Sequence, residues 1–518
     1  MVFGEQQKQW LAIAESLKPA LFREIKYPKF VVEPVADADA FQNWQMKNVQ
    51  PVADLLKLSF AEGDHFVLDF GEHIVGYLQS SLSLDGAAMG GPLRLKLTFC
   101  EVPSEIAEPF DPYSGSLSRA WLQDEIITVD ELPQTVRLSR RFAFRFLKIE
   151  VLACSFDYRF RFGDFRCETV TSAPPDIETY CDERIPESLR EIDRVALRTL
   201  RNCFQTVPED GPKRDRRLWL ADSPLMAQVM YQTFQNYDIY KRVLHLFAGL
   251  AHDDGRIPAC VYEQPQPHIS TEFISDFAIM YGAYLLDYAE NSNDWETAER
   301  LWPVAKKQLD VALAYLDENG LFHDHGKYWV FIDWQPELDK QAAMQGLFIH
   351  AFKQIMALAT VISRENEVAK LPEIIEKMTA AAMQLRSEDA PYFFLSGDSR
   401  QLSWASQIWM ILAEVVDAPT GAKLLRETIK SPDAVKPATP FIYHYTAEAM
   451  FKCGLQTEAI SLIQSYWGKM VELGASTFWE IFDPEDHWKS PYGSHHVNSY
   501  CHSWSCTPAY LIRKYVVK

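Results

Sequence analysis

From about residue 60 to 170 apolar side chains alternate with polar ones, as in HFVLDFGEHIVGYLQSSLSL, LRLKLTFCEV, FAFRFLKIEVLA and DYRFRFGDFRCETV. Alternation among β-branched and aromatic residues puts one face of each strand in a core and the other in water, so this half predicts an antiparallel β-sandwich. The turn-rich TSAPPD at 171–176 closes it as a linker. After the linker the period becomes helical, starting with PESLREIDRVALRTLRNCF and running through SPLMAQVMYQTFQNYDIYKRVLHLFAGLA, NDWETAERLWPVAKKQLDVALAYLDE and QTEAISLIQSYWGKMVEL to the tail WSCTPAYLIRKYVV. A long succession of helical hairpins without a fixed repeat predicts a toroid of paired helices, whose loops at one end surround a central cleft. The expected division is a β-sandwich domain over 1–175, including a short leading segment, and a helical domain over 176–518.

Composition narrows the function. A chain of 518 residues has ample material for two or three cores, and its formal net charge of −20 argues against a nucleic-acid binder, which needs a basic face. The N-terminal MVFGEQQKQWLAIAESLKPA has no uninterrupted apolar stretch, and no later segment approaches a membrane span. Nine cysteines without CxxC spacing predict reduced, packed thiols; Cys501 and Cys506 could form a pair, but thiols fit the cytoplasmic location expected here. No membrane contact, nucleic acid or cofactor is expected, and a homodimer suits a large acidic protein.

Tryptophan is concentrated in the helical half, at Trp219, Trp295, Trp302, Trp329, Trp334, Trp404, Trp409, Trp467, Trp479, Trp488 and Trp504, several of them in apparent loops. Indole beside carboxylates suits a sugar cleft, because pyranose C–H faces stack on the ring while hydroxyls take charged hydrogen bonds. For tryptophans on helices, core packing is the simpler account.

Two loops concentrate candidate chemistry. In EDGPKRDRRLWLADSP, residues 209–224, Ser223 before Pro224 reads as a helix N-cap, which places Asp222 at a helix N-terminus. One account of this run is structural: Asp222 complements the helix dipole while Arg214, Arg216 and Arg217 neutralise Asp210 and Asp215. The second loop, residues 474–510, is long and rich in His and Trp, and long ordered loops are usually functional. It contains Trp479, Glu480, His502 and Trp504. HDH at 323–325 and HH at 495–496 could suggest metal ligation, but are read as solvent-exposed polar residues, so no metal site is expected. GxGxxG, P-loop, HExxH and GxSxG patterns are absent.

EDGPKRDRRLWLAD resembles the Asp-Cys-Pro-x-Arg-Asp-Glu-Arg-x-x-Trp-x-Gly-Asp signature of the bacterial α-L-rhamnosidases, and STFWE followed by CHSWSCTPAYLI resembles their later Thr-x-x-Trp-Glu and His-x-Trp segments. The resemblance covers most of residues 180–518 by motif order. It implies an N-terminal antiparallel β-sandwich followed by an (α/α)6 barrel, and an inverting, metal-independent glycosidase that removes terminal α-L-rhamnose. Inversion needs a protonated carboxyl for the leaving oxygen and a carboxylate to activate water on the opposite face, about 6.5–9.5 Å apart.

By resemblance Glu480 is the base. The acid is harder to place, because this chain has Arg216 where the family pattern has its Glu, and is one residue shorter between Arg217 and Trp219. An arginine cannot donate a proton at neutral pH. Asp222 falls on the terminal Asp of the pattern and follows the apolar LWLA, so it is taken as the acid with Asp215 as second choice. The helix N-terminus opposes this by favouring the anion. Asp210 and Arg214 become candidates to hold sugar hydroxyls over Trp219, and the resemblance adds Glu272, Asp333, Trp334 and His502. Glu272 and Asp276 are equally accounted for as acids at a helix N-terminus.

Many relatives carry a further β-sandwich after the barrel, whereas this sequence ends at Lys518, so substrate size is not carried over from them. A compact cleft suited to small rhamnosides, with L-rhamnose as product, is the expectation. Two alternatives stay open. A phosphorylase of similar architecture would need a basic phosphate pocket, and a non-catalytic rhamnose-binding protein would account for Arg216 by lost chemistry.

Overall fold

The computed structural model describes residues 2–389 and 393–517. Its N-terminal half is antiparallel, with neighbouring strands in the order Phe22–Lys26, Tyr158–Thr171, His65–Gly86, Phe142–Ala153, Leu93–Cys100 and Asp124–Val129. The strand His65–Gly86 breaks register between Asp69 and Ile74. It pairs first with Phe142–Ala153 and then with Tyr158–Thr171, linking both halves of the sandwich. Alternation decides which side chains meet inside: in Leu93–Cys100, Leu93, Leu95 and Leu97 are buried while Arg94 is exposed. Phe99 stacks on Phe142 with centroids 3.8 Å apart in this core.

The C-terminal half consists of twelve helices among the described residues, from Glu187–Cys203 to Pro508–Tyr515, if Ser275–Ile279 and Tyr281–Ser292 are taken as one broken helix. They enclose one continuous apolar core. Close approach is built in where Gly346 faces Trp409: a Cβ there would lie 2.6 Å from the Trp409 backbone carbon, so helices Gln341–Val361 and Trp404–Leu412 touch nearly backbone to backbone.

The leading segment departs from expectation. Helix Glu5–Ser16 packs on the barrel, where Trp10 and Ala14 join the helical core and Gln7 Nε2 donates to the Ala251 carbonyl at 2.7 Å. By packing it belongs to the second domain. All nine cysteines are free, Cys501 and Cys506 included, and among the described residues no helix is long and apolar enough to cross a membrane.

Long and short connections alternate around the ring. Those after helices Glu187–Cys203, Tyr237–Gly249, Trp295–Leu313, Leu371–Gln384 and Gln456–Glu472 run to 18 residues or more, whereas the others, such as that between Tyr281–Ser292 and Trp295–Leu313, span nine or fewer. Successive helices of a toroid reverse direction, so the long loops all emerge at one end.

Candidate active site

Four of these long loops line a cleft with about 390 Å³ of empty space, counting the part open to solvent. Of the residues singled out from sequence, Asp210, Arg214, Asp215, Trp219, Asp222, Trp334, Glu480, His502 and Trp504 line it together. The remaining wall is apolar and aromatic, formed by Ile274, Phe277, Trp329, Phe331 and Tyr492.

The two motif loops are joined by backbone where Ser503 N donates to the Asp210 carbonyl at 2.7 Å. The second loop is pinned to itself, with His502 N on the Phe478 carbonyl and Glu480 N on the Ser499 carbonyl, each at 2.9 Å. Gly211 makes this possible, since a Cβ there would sit 2.5 Å from Ser499 Oγ and 3.4 Å from the Cys501 carbonyl oxygen. The sandwich reinforces the joint: Lys213, buried beside the cavity loop, pairs with Glu105 and lies 3.5 Å from Glu101.

Glu480 is fully enclosed by donors. Arg214 Nη2 bonds its Oε2, Tyr492 Oη bonds its Oε1, and Ser499 N donates to Oε2 at 3.2 Å. Trp504 Nε1 fixes its backbone by donating to the Glu480 carbonyl at 2.9 Å. Burial alone would raise the Glu480 pKa, but Arg214 and the Tyr492 hydroxyl outweigh it and hold the group below the ordinary glutamate value. Arg214 is itself fixed, with Nε on the Val497 carbonyl at 2.7 Å and its guanidinium 4.5 Å from the Tyr492 ring centre. It therefore supports Glu480 rather than standing free to hold sugar hydroxyls.

Asp222 has the opposite environment. Its one side-chain hydrogen bond to another residue is from Ser503 Oγ at 3.2 Å, and the nearest imidazole nitrogen, His502 Nδ1, is 3.8 Å away. Burial pushes its pKa up to about 7 against the Ser503 hydrogen bond, with Glu480 and Asp215 adding repulsion. The helix begins at Asp222 itself, with Ala221 as N-cap, so Ser223 is not the cap; its hydroxyl is buried without a partner. The conflict foreseen between helix dipole and burial is thus won by burial. No hydrogen bond joins the Asp222 and Glu480 carboxyls, though both line the cavity.

Asp210 accepts from Arg217 N at 3.0 Å and is pushed well above the usual carboxylate range by burial and by Asp215 and Asp222. Asp215, with φ 63°, lies 3.5 Å from Arg214 Nη1 and is the most exposed of this acidic group. His502 is driven down to about 3 by burial, so its ring is neutral, and its Nδ1 has no protein partner.

Three expected residues lie elsewhere. Glu272 is exposed and does not line the cavity. Asp333 is buried but turned into the barrel, where it accepts from Ala438 N at 2.7 Å and Thr439 Oγ1 at 2.6 Å. Trp479 is core, with its ring 4.0 Å from that of Phe41. Asp276 is structural too, receiving the amides of Phe331 and Ile332 at 3.0 Å each and so presenting Phe331 to the cavity. Arg216, also at positive φ, stays outside the cavity lining, with Nε on the Lys213 carbonyl and Arg141 and Glu209 as electrostatic neighbours. Sequence reasoning missed Tyr492, although it lies inside the loop that was singled out, and missed Ile274, Phe277 and Phe331 of the apolar wall.

Residues 28–169 match the model of the glycosyl hydrolase family 78 α-rhamnosidase N-terminal domain, and residues 181–516 that of the bacterial α-L-rhamnosidase six-hairpin glycosidase domain. No curated protein matches the chain. Among solved structures it is similar to a rhamnosidase from Klebsiella oxytoca with rhamnose bound, at 42% identity over 98% of both chains and a TM-score of 0.94. It shares its fold with the GH78 rhamnosidase of Bacillus sp. GL1, at 20% identity over 90% of this chain and 49% of that one, TM-score 0.74. It likewise shares it with the Streptomyces avermitilis α-L-rhamnosidase complexed with L-rhamnose, at 14% identity over 96% and 44%, TM-score 0.66.

Proposed function

The chain belongs to the glycosyl hydrolase family 78 α-rhamnosidases, and on that premise we propose that it hydrolyses terminal α-L-rhamnose from small glycosides with inversion, with Asp222 as general acid and Glu480 as general base. The observation that carries this assignment is the opposed environment of two carboxyls on one cavity: Asp222 is pushed up to about 7 by burial, and Glu480 is held down by Arg214 and Tyr492 against its own burial. Carboxyls whose environments separate their pKa values divide naturally into acid and base.

In the proposed step the Asp222 carboxyl gives its proton to the glycosidic oxygen as the C1–oxygen bond breaks. Water attacks C1 from the opposite face and passes a proton to Glu480. Proton exchange with solvent then restores both groups. Asp210, shifted towards its protonated form by burial and by Asp215 and Asp222, donates a hydrogen bond to a sugar hydroxyl, while neutral His502 offers Nδ1 to another. Ile274, Phe277 and Phe331 suit the methyl group of a 6-deoxy sugar, where a hydroxymethyl would bury an unpaired hydroxyl. The small cavity supports binding of a terminal unit.

A phosphorylase is less well supported, because Arg214 is the one Lys or Arg among the lining residues and is already neutralised by Glu480. Lost chemistry is not required by Arg216, since Asp222 occupies the cavity independently of it. Nine free thiols favour a reducing, cytoplasmic location. Exposed Phe22, Ile25 and Tyr27, on and just after the edge strand Phe22–Lys26, supply an apolar surface for a homodimer, which light scattering would test.

The decisive experiment follows an aryl α-L-rhamnoside by NMR. Release of the β-anomer first, without phosphate dependence, is expected; first release of the α-anomer would exclude the mechanism. Asp222→Asn and Glu480→Gln should each reduce turnover by about 10²–10⁴-fold in a folded protein. Near-normal turnover in Asp222→Asn would move the acid to Asp215.

A further inference from the structure

We propose that Glu108, His495 and His496 bind a divalent transition-metal ion, with zinc as the best-matched species, and so fasten the sandwich to the loop that positions Glu480. The two histidines are not the exposed pair that their sequence suggests. His496 is 7% exposed and the His495 side chain 13%, and their rings lie 4.0 Å apart. Glu108 reaches them from the segment after the short helix Ser104–Ala107 of the sandwich domain.

One ligand atom from each of the three residues lies within 4.8 Å of the others, and His495 Nε2 is 3.8 Å from Glu108 Oε2. Nε2 of both rings is buried without a hydrogen-bond partner. Two adjacent buried imidazole nitrogens left unsatisfied are unusual, because each loses hydration without compensation. A shared cation resolves both at once. Two imidazoles and a carboxylate form an N₂O donor set suited to zinc, and three protein ligands leave one tetrahedral position for water. Zinc–ligand bonds of about 2.0–2.1 Å put tetrahedral ligand atoms about 3.4 Å apart, so the required contraction is at most about 1.4 Å, within reach of side-chain torsions.

The surroundings agree. Trp44 Nε1 donates to Glu108 Oε1 at 3.4 Å, leaving Oε2 for the ion and orienting the carboxylate. The Glu108 side chain is 37% exposed, which provides an entry path. Lys213, whose charge reaches both imidazoles, is neutralised by Glu105 and Glu101.

The site is structural rather than catalytic, since none of its ligands lines the cavity. Its influence passes along the next three residues. The Val497 carbonyl receives Arg214 Nε at 2.7 Å, the Asn498 carbonyl receives Lys213 Nζ at 3.0 Å, and Ser499 N donates to Glu480 at 3.2 Å.

The test uses the full chain, stripped with EDTA, exchanged into chelator-free buffer and titrated with zinc chloride by calorimetry, with metal content read after gel filtration. About one equivalent of zinc is expected, together with a zinc-dependent rise in Tm. His495→Gln/His496→Gln should lose that equivalent and that rise while keeping the wild-type Tm in EDTA. Glu108→Gln, changed at a partly exposed position, gives a second reading if the double variant does not fold, and should weaken zinc binding at least about tenfold. The proposal is overturned if the wild-type chain retains no stoichiometric zinc, or if it does and a folded variant binds with unchanged stoichiometry and affinity.

Discussion

Tyr492→Phe isolates one of the forces that keep Glu480 ionised. The phenol donates to Glu480 Oε1, and its ring lies under Arg214, so Phe removes the hydroxyl while keeping the ring beneath the guanidinium. A hydrogen bond to a charged group contributes about 1.5–3 kcal/mol, and about 1.36 kcal/mol corresponds to one pKa unit. Losing it should therefore raise the Glu480 pKa by about 1–2 units, with Arg214 and Ser499 N still in place. A base works deprotonated, so the acid limb of kcat/KM should move to higher pH by that amount. The basic limb, set by Asp222 losing its proton near pH 7, should stay where it is. The assay is a profile of kcat/KM against pH on an aryl α-L-rhamnoside, from about pH 3 to about pH 9. An unmoved acid limb in a well-folded variant would refute the assignment of Glu480 as base, as would a shift confined to the basic limb.

Asp222 also makes a stability prediction: its folded pKa, about 7, exceeds the unfolded value of about 3.9, so wild-type stability falls as pH rises through that interval. Asp222→Asn should be more stable than wild type above pH 7, by up to about 4 kcal/mol, with the gain vanishing below about pH 4 in denaturant titrations; no gain at high pH would mean that burial is not costly there. Gly211→Ala should destabilise by about 1–3 kcal/mol and lower turnover, and Gly211→Ala/Ser499→Ala should recover much of both, because the added Cβ meets Ser499 Oγ. Failure of that rescue would place the strain on the Cys501 carbonyl instead. Asp210→Asn keeps a donor for a sugar hydroxyl, so kcat should stay within about tenfold of wild type; a loss matching that of Asp222→Asn would make Asp210 the acid.

Periodicity made the two halves legible, because alternation and helical spacing both report which faces leave water. It did not place helix Glu5–Ser16, since an apolar stripe shows that a face is buried but not against what. The loops stood out where charge is concentrated beside aromatics, but it was the family resemblance that singled out Asp222 and Glu480 within them. Adjacent residues were not resolved. Trp479 enters the core while Glu480 meets the cavity, and Asp333 turns to the Thr439 hydroxyl while Trp334 lines the cleft. In extended chain, neighbours point opposite ways, so a motif that joins two residues assigns a role to one. The apolar wall of Ile274, Phe277 and Phe331 carried no signal, because a side chain facing a sugar and one facing a core have the same composition.

What divides the carboxyls is the placement of a single cation. Asp210, Asp215, Asp222 and Glu480 repel one another across the cavity, and no sequence pattern says which of them should keep a proton. Arg214 settles it by geometry: fixed on the Val497 carbonyl and over the Tyr492 ring, it bonds Glu480 and faces Asp215 at 3.5 Å, but makes no ion pair with Asp222. Glu480 thus ionises at the expense of its uncompensated neighbour, whose proton is retained by the same burial that Arg214 overcomes elsewhere. Arg216 takes no part, because its consecutive positive φ with Asp215 leaves it outside the cavity lining. A glutamate in the family pattern could therefore be exchanged for Arg216 without placing a second cation beside Asp222, where it would strip the acid of its proton.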